Sequence, residues 1–403
     1  MSALRGGERT PVTVAFAAFV LVGVNAGATG VLLPAQISDY GVSKTAIGST
    51  FFTGSVGYVL ASLLAGAAVH RLGMRVTLVV GTAVTAVAGF YVATRPPFGA
   101  FVLVAMATGF GAGVTGAGFQ AFIVALPGAT GLLNRLHAFF GVGALLGPLL
   151  ATWMLGFASW RAVWLVMAAA NLPFVLAIWI TYPRHDTAAR EPPVAAQPSG
   201  QLNKGLISTA LRQRSILLGA ALLAVYVGLE ISMGNWGFSY LVQARGEHRP
   251  LAGYVVSGYW LGLTLGRFLI SPFASRIGVS AANLANGCLI GVIAVTSMTW
   301  LLPAATSIPG FVLLGFFLGP IFPTAMAMVP NMTAARLVPT AIGIMNAGAV
   351  LGGSALPWLA GTIGQGTRAW TLLPYSLTLA VVTMGIWWLI VRNRAALEPV
   401  EAR

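Results

Sequence analysis

Residues 48–73, GSTFFTGSVGYVLASLLAGAAVHRLG, return in altered form as residues 253–278, GYVVSGYWLGLTLGRFLISPFASRIG. At this offset of 205 residues, Gly48 pairs with Gly253, Gly57 with Gly262, Leu60 with Leu265, Arg71 with Arg276 and Gly73 with Gly278. The same offset aligns Gly143 and Ala144 with Gly348 and Ala349, and Leu146 and Gly147 with Leu351 and Gly352. An offset of 206 aligns Gly109 with Gly315 and Gly113 with Gly319. Two well-separated segments sharing one offset point to a duplicated chain. Both copies of the opening stretch are long apolar runs, so the duplicated unit is built from membrane-crossing helices.

Composition agrees. Of 403 residues, 57 % are hydrophobic and 7 % charged, with 22 Lys or Arg against 8 Asp or Glu. A soluble domain carries about 25 % charge, so a soluble fold of this length could not cover its surface. Disorder needs low hydrophobicity and is excluded. A transmembrane barrel alternates apolar and polar residues in short segments, whereas the apolar runs here are continuous. The 50 glycines suit closely packed membrane helices.

Twelve runs are long enough to cross a bilayer: about 12–33, 46–69, 76–94, 98–125, 135–157, 161–181, 215–241, 251–274, 280–302, 309–329, 338–363 and 369–391. The run at 12–33 is too long for a signal peptide and reads as a span. The stretch 182–214 holds Pro183, Pro192, Pro193 and Pro198 with clustered charge, which predicts a solvated linker. The expected organisation is a six-helix bundle over 1–181, a cytoplasmic linker over 182–214 and a second bundle over 215–403. With the N-terminus inside, inner segments hold 15 Lys or Arg and outer segments 6. The positive-inside rule therefore puts both termini and the linker in the cytoplasm, in a multi-pass protein of the cytoplasmic (inner) cell membrane. The net charge of +14 is read as basic loops facing anionic lipid, not nucleic acid. Cys288 is the single cysteine and reads as a small packed hydrophobe. A direct six-span repeat arranges two equivalent bundles about an axis along the membrane normal, which can rock about a site between them. That is the physical basis of alternating access, and it suggests a transporter.

The loop GAAVHRLGMRVTL (66–78) resembles the G-x-L-A-D-R-x-G-R-[RK] motif of the major facilitator superfamily, with Gly66, Arg71, Gly73 and Arg75 in register. His70 stands where the family has Asp, and Met74 where it has a base. Since that Asp steadies the outward-facing state in the family, the resemblance implies a weaker latch here. The segments 30–58, LLNRLHAFFGVGALLGP (132–148), YWLGLTLGRF (259–268) and LGPIFPT (318–324) are similar to the fucose:proton symporter-like branch. The resemblance implies the major facilitator fold: all-α, twelve transmembrane helices in two pseudo-symmetric six-helix bundles. It also implies a monomer, a central cavity walled by spans 1, 4, 7 and 10, and cargo of the monosaccharide-with-proton kind. The family's proton-linked G-x-G-x-x-E-x-x-x-N pattern in span 4 falls on Gly111, Gly113, Gly116 and Gln120, so glycine replaces the acid.

Only Glu230 and Arg267 are formally charged within the spans, and charge at bilayer depth marks a functional candidate. Glu230 shares a helical face with Tyr226, Met233, Gly237 and Tyr240. It is read as a proton carrier or solute acceptor, with a structural hydrogen-bonding role as the alternative. Counted from the span ends, Glu230 lies about 22 Å from the cytoplasmic surface and Arg267 about 10 Å, so a direct pair between them is not expected. Arg267 is a solute contact or a clamp on helix ends. Asn25 and Thr29 share a face of span 1 and suit hydroxyl recognition, or interhelical bonding. Asn235 and Trp236 sit between Gly234 and Gly237, where span 7 is expected to loosen and Trp236 to stack on a sugar ring or join the interfacial belt. Gln120, Asn346 and, on the Glu230 face, Tyr226 and Tyr240 complete the candidate solute contacts, with Asn346 also read as interhelical glue. His137 reads as helix-end packing or a pH sensor. Gly66, His70, Arg71, Gly73, Arg75 and Arg276 are the gating-loop candidates.

These features predict a secondary active transporter, not an enzyme, that carries a small polar, sugar-like solute with protons. The competing reading is proton-driven efflux of drug-like or secondary-metabolite compounds, which GALLGP at 143–148 and the missing family acids support. A membrane enzyme needs paired carboxylates or a metal cluster, and a channel needs a charged ring or filter; the sequence offers neither. No metal or organic cofactor is implied. The expected partners are the solute, protons and the lipid bilayer.

Overall fold

In the computed structural model the described residues are 6–182, 204–276, 278–366 and 369–395. They form thirteen α-helices: α1 Gly6–Tyr40, α2 Lys44–Ala93, α3 Phe98–Val124, α4 Ala129–Leu155, α5 Trp160–Thr181, α6 Lys204–Leu211, α7 Arg214–Ala244, α8 Arg249–Arg276, α9 Ala281–Leu301, α10 Ser307–Leu318, α11 Ile321–Ala327, α12 Val338–Gly366 and α13 Leu372–Ala395. No strand occurs among the described residues. Ten helical segments there are long and apolar enough to cross a membrane. One of them, α2, has 50 residues, about 75 Å of helix against a hydrocarbon core of about 30 Å. It is two spans joined at Gly73, where φ is 81° and ψ 160°. α8 adds a span of 28 residues, less apolar because it carries Arg249, Arg267 and Arg276. The described residues thus hold the twelve spans expected of the major facilitator fold.

The chain divides into two compact units, Met1–Val42 with Ser49–Gln201 and Ser43–Gly48 with Leu202–Arg403. Within each, the same packing recurs. In the first, a Cβ on Gly147 of α4 would strike the Val24 carbonyl of α1; in the second, a Cβ on Gly352 of α12 would strike the Ala224 carbonyl of α7. Likewise Gly109 of α3 lies on the Gly54 carbonyl of α2, and Gly315 of α10 on the Tyr259 carbonyl of α8. Backbone-to-backbone approach of this kind admits only glycine and replaces hydrophobic drive in lipid with dispersion contact. The loop glycines repeat as well: Gly41 and Gly246 have φ of 62° and 72°, and Gly73 and Gly278 have 81° and 72°. These left-handed values are open to glycine at little cost.

The end of the first unit where α1 begins and α5 ends is an apolar core of Phe16, Phe19, Met74, Leu78, Phe119, Leu136 and Tyr182. Met74, standing where the family motif has a base, is buried in this core. Arg75 donates from Nε to the Tyr182 carbonyl and lies over the Trp179 ring, tying the loop to the end of α5. Tyr182 itself donates to the Pro11 carbonyl at 2.8 Å. Most of the expected linker, 183–203, lies outside the described residues. Its described ends differ from an open solvated tether, since Tyr182 is fully buried and 204–211 is the helix α6. KGLISTAL has no proline, and the clustered prolines stop at Pro198.

Span 10 is the other departure. In place of one helix over 309–329, α10 ends at Leu318 and α11 begins at Ile321. Pro320 and Pro323 lack the N–H groups that would bond the Phe316 and Gly319 carbonyls four residues earlier, so the ladder breaks.

Candidate functional site

The break frees backbone carbonyls inside the second unit, and side chains of α7 and α8 take them. Tyr226 Oη donates to Leu318 O at 2.9 Å, and Arg267 Nε donates to Gly319 O at 3.4 Å. Tyr259 Oη, on α8, donates to the Glu230 carbonyl of α7 at 2.9 Å. At the centre, Arg267 Nη2 lies 3.7 Å from Glu230 Oε1, with the two side chains 27 % and 12 % exposed. The Tyr226 hydroxyl lies against both Glu230 and Arg267. Tyr226 and Tyr259 are themselves fully buried.

The pair overturns the expectation that Glu230 and Arg267 stand too far apart in depth. Side chains on a helix lean toward its N-terminus. α7 and α8 are consecutive spans and run in opposite directions, so the Glu230 side chain leans toward the Arg214 end of α7 while that of Arg267 leans toward the Arg249 end of α8. The two lean toward each other across the gap that the backbone positions leave. Tyr259 escaped notice in the sequence, although a spacing of eight sets it near the face of Arg267.

The remaining candidates of this unit separate into packing and solvent-facing residues. α7 runs unbroken from Arg214 to Ala244; Gly234 makes room for the Trp260 ring and Gly237 for the Phe311 ring. The expected loosening there is therefore absent. Trp236 is 4 % exposed, donates from Nε1 to Pro357 O at 2.7 Å and covers Gly361. That geometry makes it a clamp between α7 and α12, and the stacking surface expected of it is not presented. Tyr240 accepts from Arg245 Nε, whose guanidinium lies 5.6 Å over the ring and also caps the Leu302 carbonyl at 3.0 Å. Asn235 is buried. Asn346 is exposed on α12, which disagrees with the interhelical-glue reading.

In the first unit, Asn25 and Thr29 line a cavity of about 310 Å³ enclosed by α1, α2, α3 and α5. Their donors are used within α1: Asn25 Nδ2 to Leu21 O at 3.0 Å and Thr29 Oγ1 to Asn25 O at 2.9 Å. Gln36 joins them on the wall. It continues the face 25, 29, 32, 36, a helical periodicity legible in the sequence. Gln120 does not line the cavity. At Gly116, where the family has an acid, a Cβ would meet no atom within 4 Å, so the position opens on empty space. His70, Arg71 and Arg276 are exposed, as is Gly66; Arg75 is the gating-loop base whose bond within its own unit is described above. No group of three or more potential metal-ligating side chains occurs among the described residues.

Known proteins share this architecture. The family model of the Major Facilitator Superfamily matches residues 15–307. The chain is 24 % identical to "Bypass of stop codon protein 6" of Saccharomyces cerevisiae (strain ATCC 204508 / S288c) over 375 residues, 86 % of this chain and 75 % of the relative. It is 22 % identical to the glucose/mannose transporter GlcP of Bacillus subtilis (strain 168) over 376 residues, 92 % of each. Among solved structures, a bacterial homolog to the human lysosomal transporter Spinster, inward-facing and unoccupied, superposes with a TM-score of 0.80 at 11 % identity, covering 98 % of both chains. On the match across most of its length, carried by twelve spans in two like-packed halves, this chain belongs to the major facilitator superfamily and is a multi-pass membrane transporter, not an enzyme.

Proposed function

We propose that this transporter takes up a small polar, sugar-like solute together with protons, by alternating access. The observation that carries the reading is the buried Glu230–Arg267 pair, 3.7 Å apart. It lies inside the spans, whereas the Asp39–Arg95 pair lies exposed at helix ends. A proton on Glu230 removes the charge–charge attraction of the pair. Arg267 then keeps its bond to Gly319 O, and α8 is left tied to α7 at this depth by the Tyr259 hydroxyl on the Glu230 carbonyl. Proton arrival is thereby converted into a choice between two arrangements of α7, α8 and the broken span 10. Asn25, Thr29 and Asn346 are the solute contacts of this reading. Tyr226 and Arg267 contact the carboxylate, while Trp236, Tyr240 and Asn235 hold the helices that carry it.

The sugar-like class is supported by the similarity to the glucose/mannose transporter over 92 % of the chain and by the resemblance to the fucose:proton symporter-like branch. The uncharged amides and hydroxyls of the contacts fit it as well. The same reading takes residues 1–181 and 215–403 as the mobile halves joined by 182–214. It sets a monomer in the inner cell membrane with both termini cytoplasmic.

The test is proton movement. Purified protein in proteoliposomes, given D-glucose or D-mannose outside and a pH dye in weakly buffered medium, is expected to alkalinise that medium as sugar enters. Sugar entry without a pH change would reject proton coupling; absence of entry for both sugars would reject the solute class.

A further inference from the structure

A groove in the first unit lies apart from every solute and proton contact proposed above. Val80, Val84, Val87 and Tyr91 of α2 form one wall and Val104 and Ala107 of α3 the other, around a volume of about 460 Å³. The α2 residues recur at helical spacing, so they share one face, and Val80, Val87 and Tyr91 are exposed along it. Apart from the Tyr91 hydroxyl, every side chain on the wall is apolar. Such a surface gives water or a hydroxylated solute nothing to bond, and within a span it matches acyl chains.

The length of the groove fits one chain of one leaflet. From Val80 to Tyr91 the helix rises about 16 Å, and a hydrocarbon core of about 30 Å holds two leaflets. Tyr91 lies next to the end of α2 at Ala93, so the groove runs from the bilayer surface to its middle.

The surface end carries surplus positive charge. Tyr91 neighbours Tyr40, and the Arg95 guanidinium lies 5.1 Å over the Tyr40 ring. Asp39 Oδ2 accepts from Arg95 Nε at 2.9 Å and from Trp160 Nε1 at 2.9 Å. Arg161, exposed at the start of α5, is a second cation acting on Asp39. Two guanidinium groups thus stand against one carboxylate at the mouth of an apolar groove.

We infer that the groove between α2 and α3 binds one acyl chain of an anionic phospholipid, with the headgroup phosphate at Arg95 and Arg161 beside the Tyr91 hydroxyl. A zwitterionic lipid with the same chains fills the groove equally but brings no net charge to the surplus cation.

Native mass spectrometry of the full-length protein in detergent counts bound lipids one at a time. Palmitoyl-oleoyl phosphatidylglycerol is expected to form the first adduct about fivefold more tightly than the phosphatidylcholine of the same chains, as one net cation near the surface requires. Glycerophosphoglycerol, the headgroup without chains, is expected neither to bind nor to displace the lipid. Arg161→Gln is expected to bring the two lipids within about twofold of each other by weakening only the anionic one. Ala107→Phe fills the groove and is expected to weaken the first adduct of both lipids about tenfold. Val381→Phe, on an exposed part of α13, is expected to change neither. Equal affinity of the two lipids for the unaltered protein would overturn the charge match, and a preference that survives Arg161→Gln would place it elsewhere. Parent-like binding in Ala107→Phe would overturn the groove, and displacement by the headgroup alone would reduce the site to one for free phosphate. The lipid comparison and the headgroup competition use the unaltered protein, so they decide even where a variant folds poorly.

Discussion

Arg267→Met is expected to destabilise the purified transporter sharply, and Glu230→Met in addition is expected to restore most of the loss. Alone, the arginine substitution leaves Glu230 without its counter-ion among Tyr226, Tyr259 and the helix backbones, with the Gly319 carbonyl unbonded. Removing one partner of a buried pair costs on the order of 3 kcal/mol, because the surviving charge has lost its solvent and its counter-ion together. Replacing both partners by apolar groups of similar size is often neutral. The double variant still lacks the bond to Gly319 O, so its recovery is expected to stop short of the parent. Unfolding of the three proteins in one detergent measures the order: parent, then double variant, then Arg267→Met. A double variant no better than the single one would mean that Glu230 is held mainly by other groups. The stable double variant also separates architecture from mechanism, since it keeps the fold and has no titrating group at the centre of the second unit.

A larger effect is expected at Gly352. A Cβ there would fall on the Ala224 carbonyl of α7, and backbone cannot swing aside as a side chain does. Gly352→Leu must push α12 off α7 along a seam without hydrophobic drive to reclose it. The cost exceeds the about 1–3 kcal/mol of ordinary overpacking. Loss of monodisperse protein on size-exclusion chromatography is the expected outcome. Gly385→Ala in α13 is the control: it meets nothing within 4 Å and swaps glycine for the best helix former, a gain of up to about 1 kcal/mol. Equal yields of the two variants would contradict the close-packed seam.

The seam also explains why so much of the fold was legible in the sequence. Glycines such as Gly147 and Gly352 are constrained by backbone contact, so they persist in both copies and reveal the duplication. Span boundaries follow from apolar length alone. What stayed hidden depends on three-dimensional reach. The Glu230–Arg267 pair needs the lean of two antiparallel helices, which a count of residues from the span ends omits. The break in span 10 was written in Pro320 and Pro323, yet a count of apolar length averages over two prolines in a long apolar run. Trp236 reads the same in sequence whether its indole faces a solute or the Pro357 carbonyl. The cavity of the first unit is assembled from four helices, so only the stripe of Asn25, Thr29 and Gln36 along α1 announces it.

The central claim is that the carboxyl of Glu230 carries the proton that drives transport. Glu230→Gln keeps the size and hydrogen-bonding capacity of the side chain and removes its titration. Paired assays in proteoliposomes measure uphill uptake of the sugar under an imposed pH gradient and exchange of labelled sugar at equal concentrations with no gradient. The account predicts that the variant exchanges sugar but no longer accumulates it. Accumulation equal to that of the parent would contradict it.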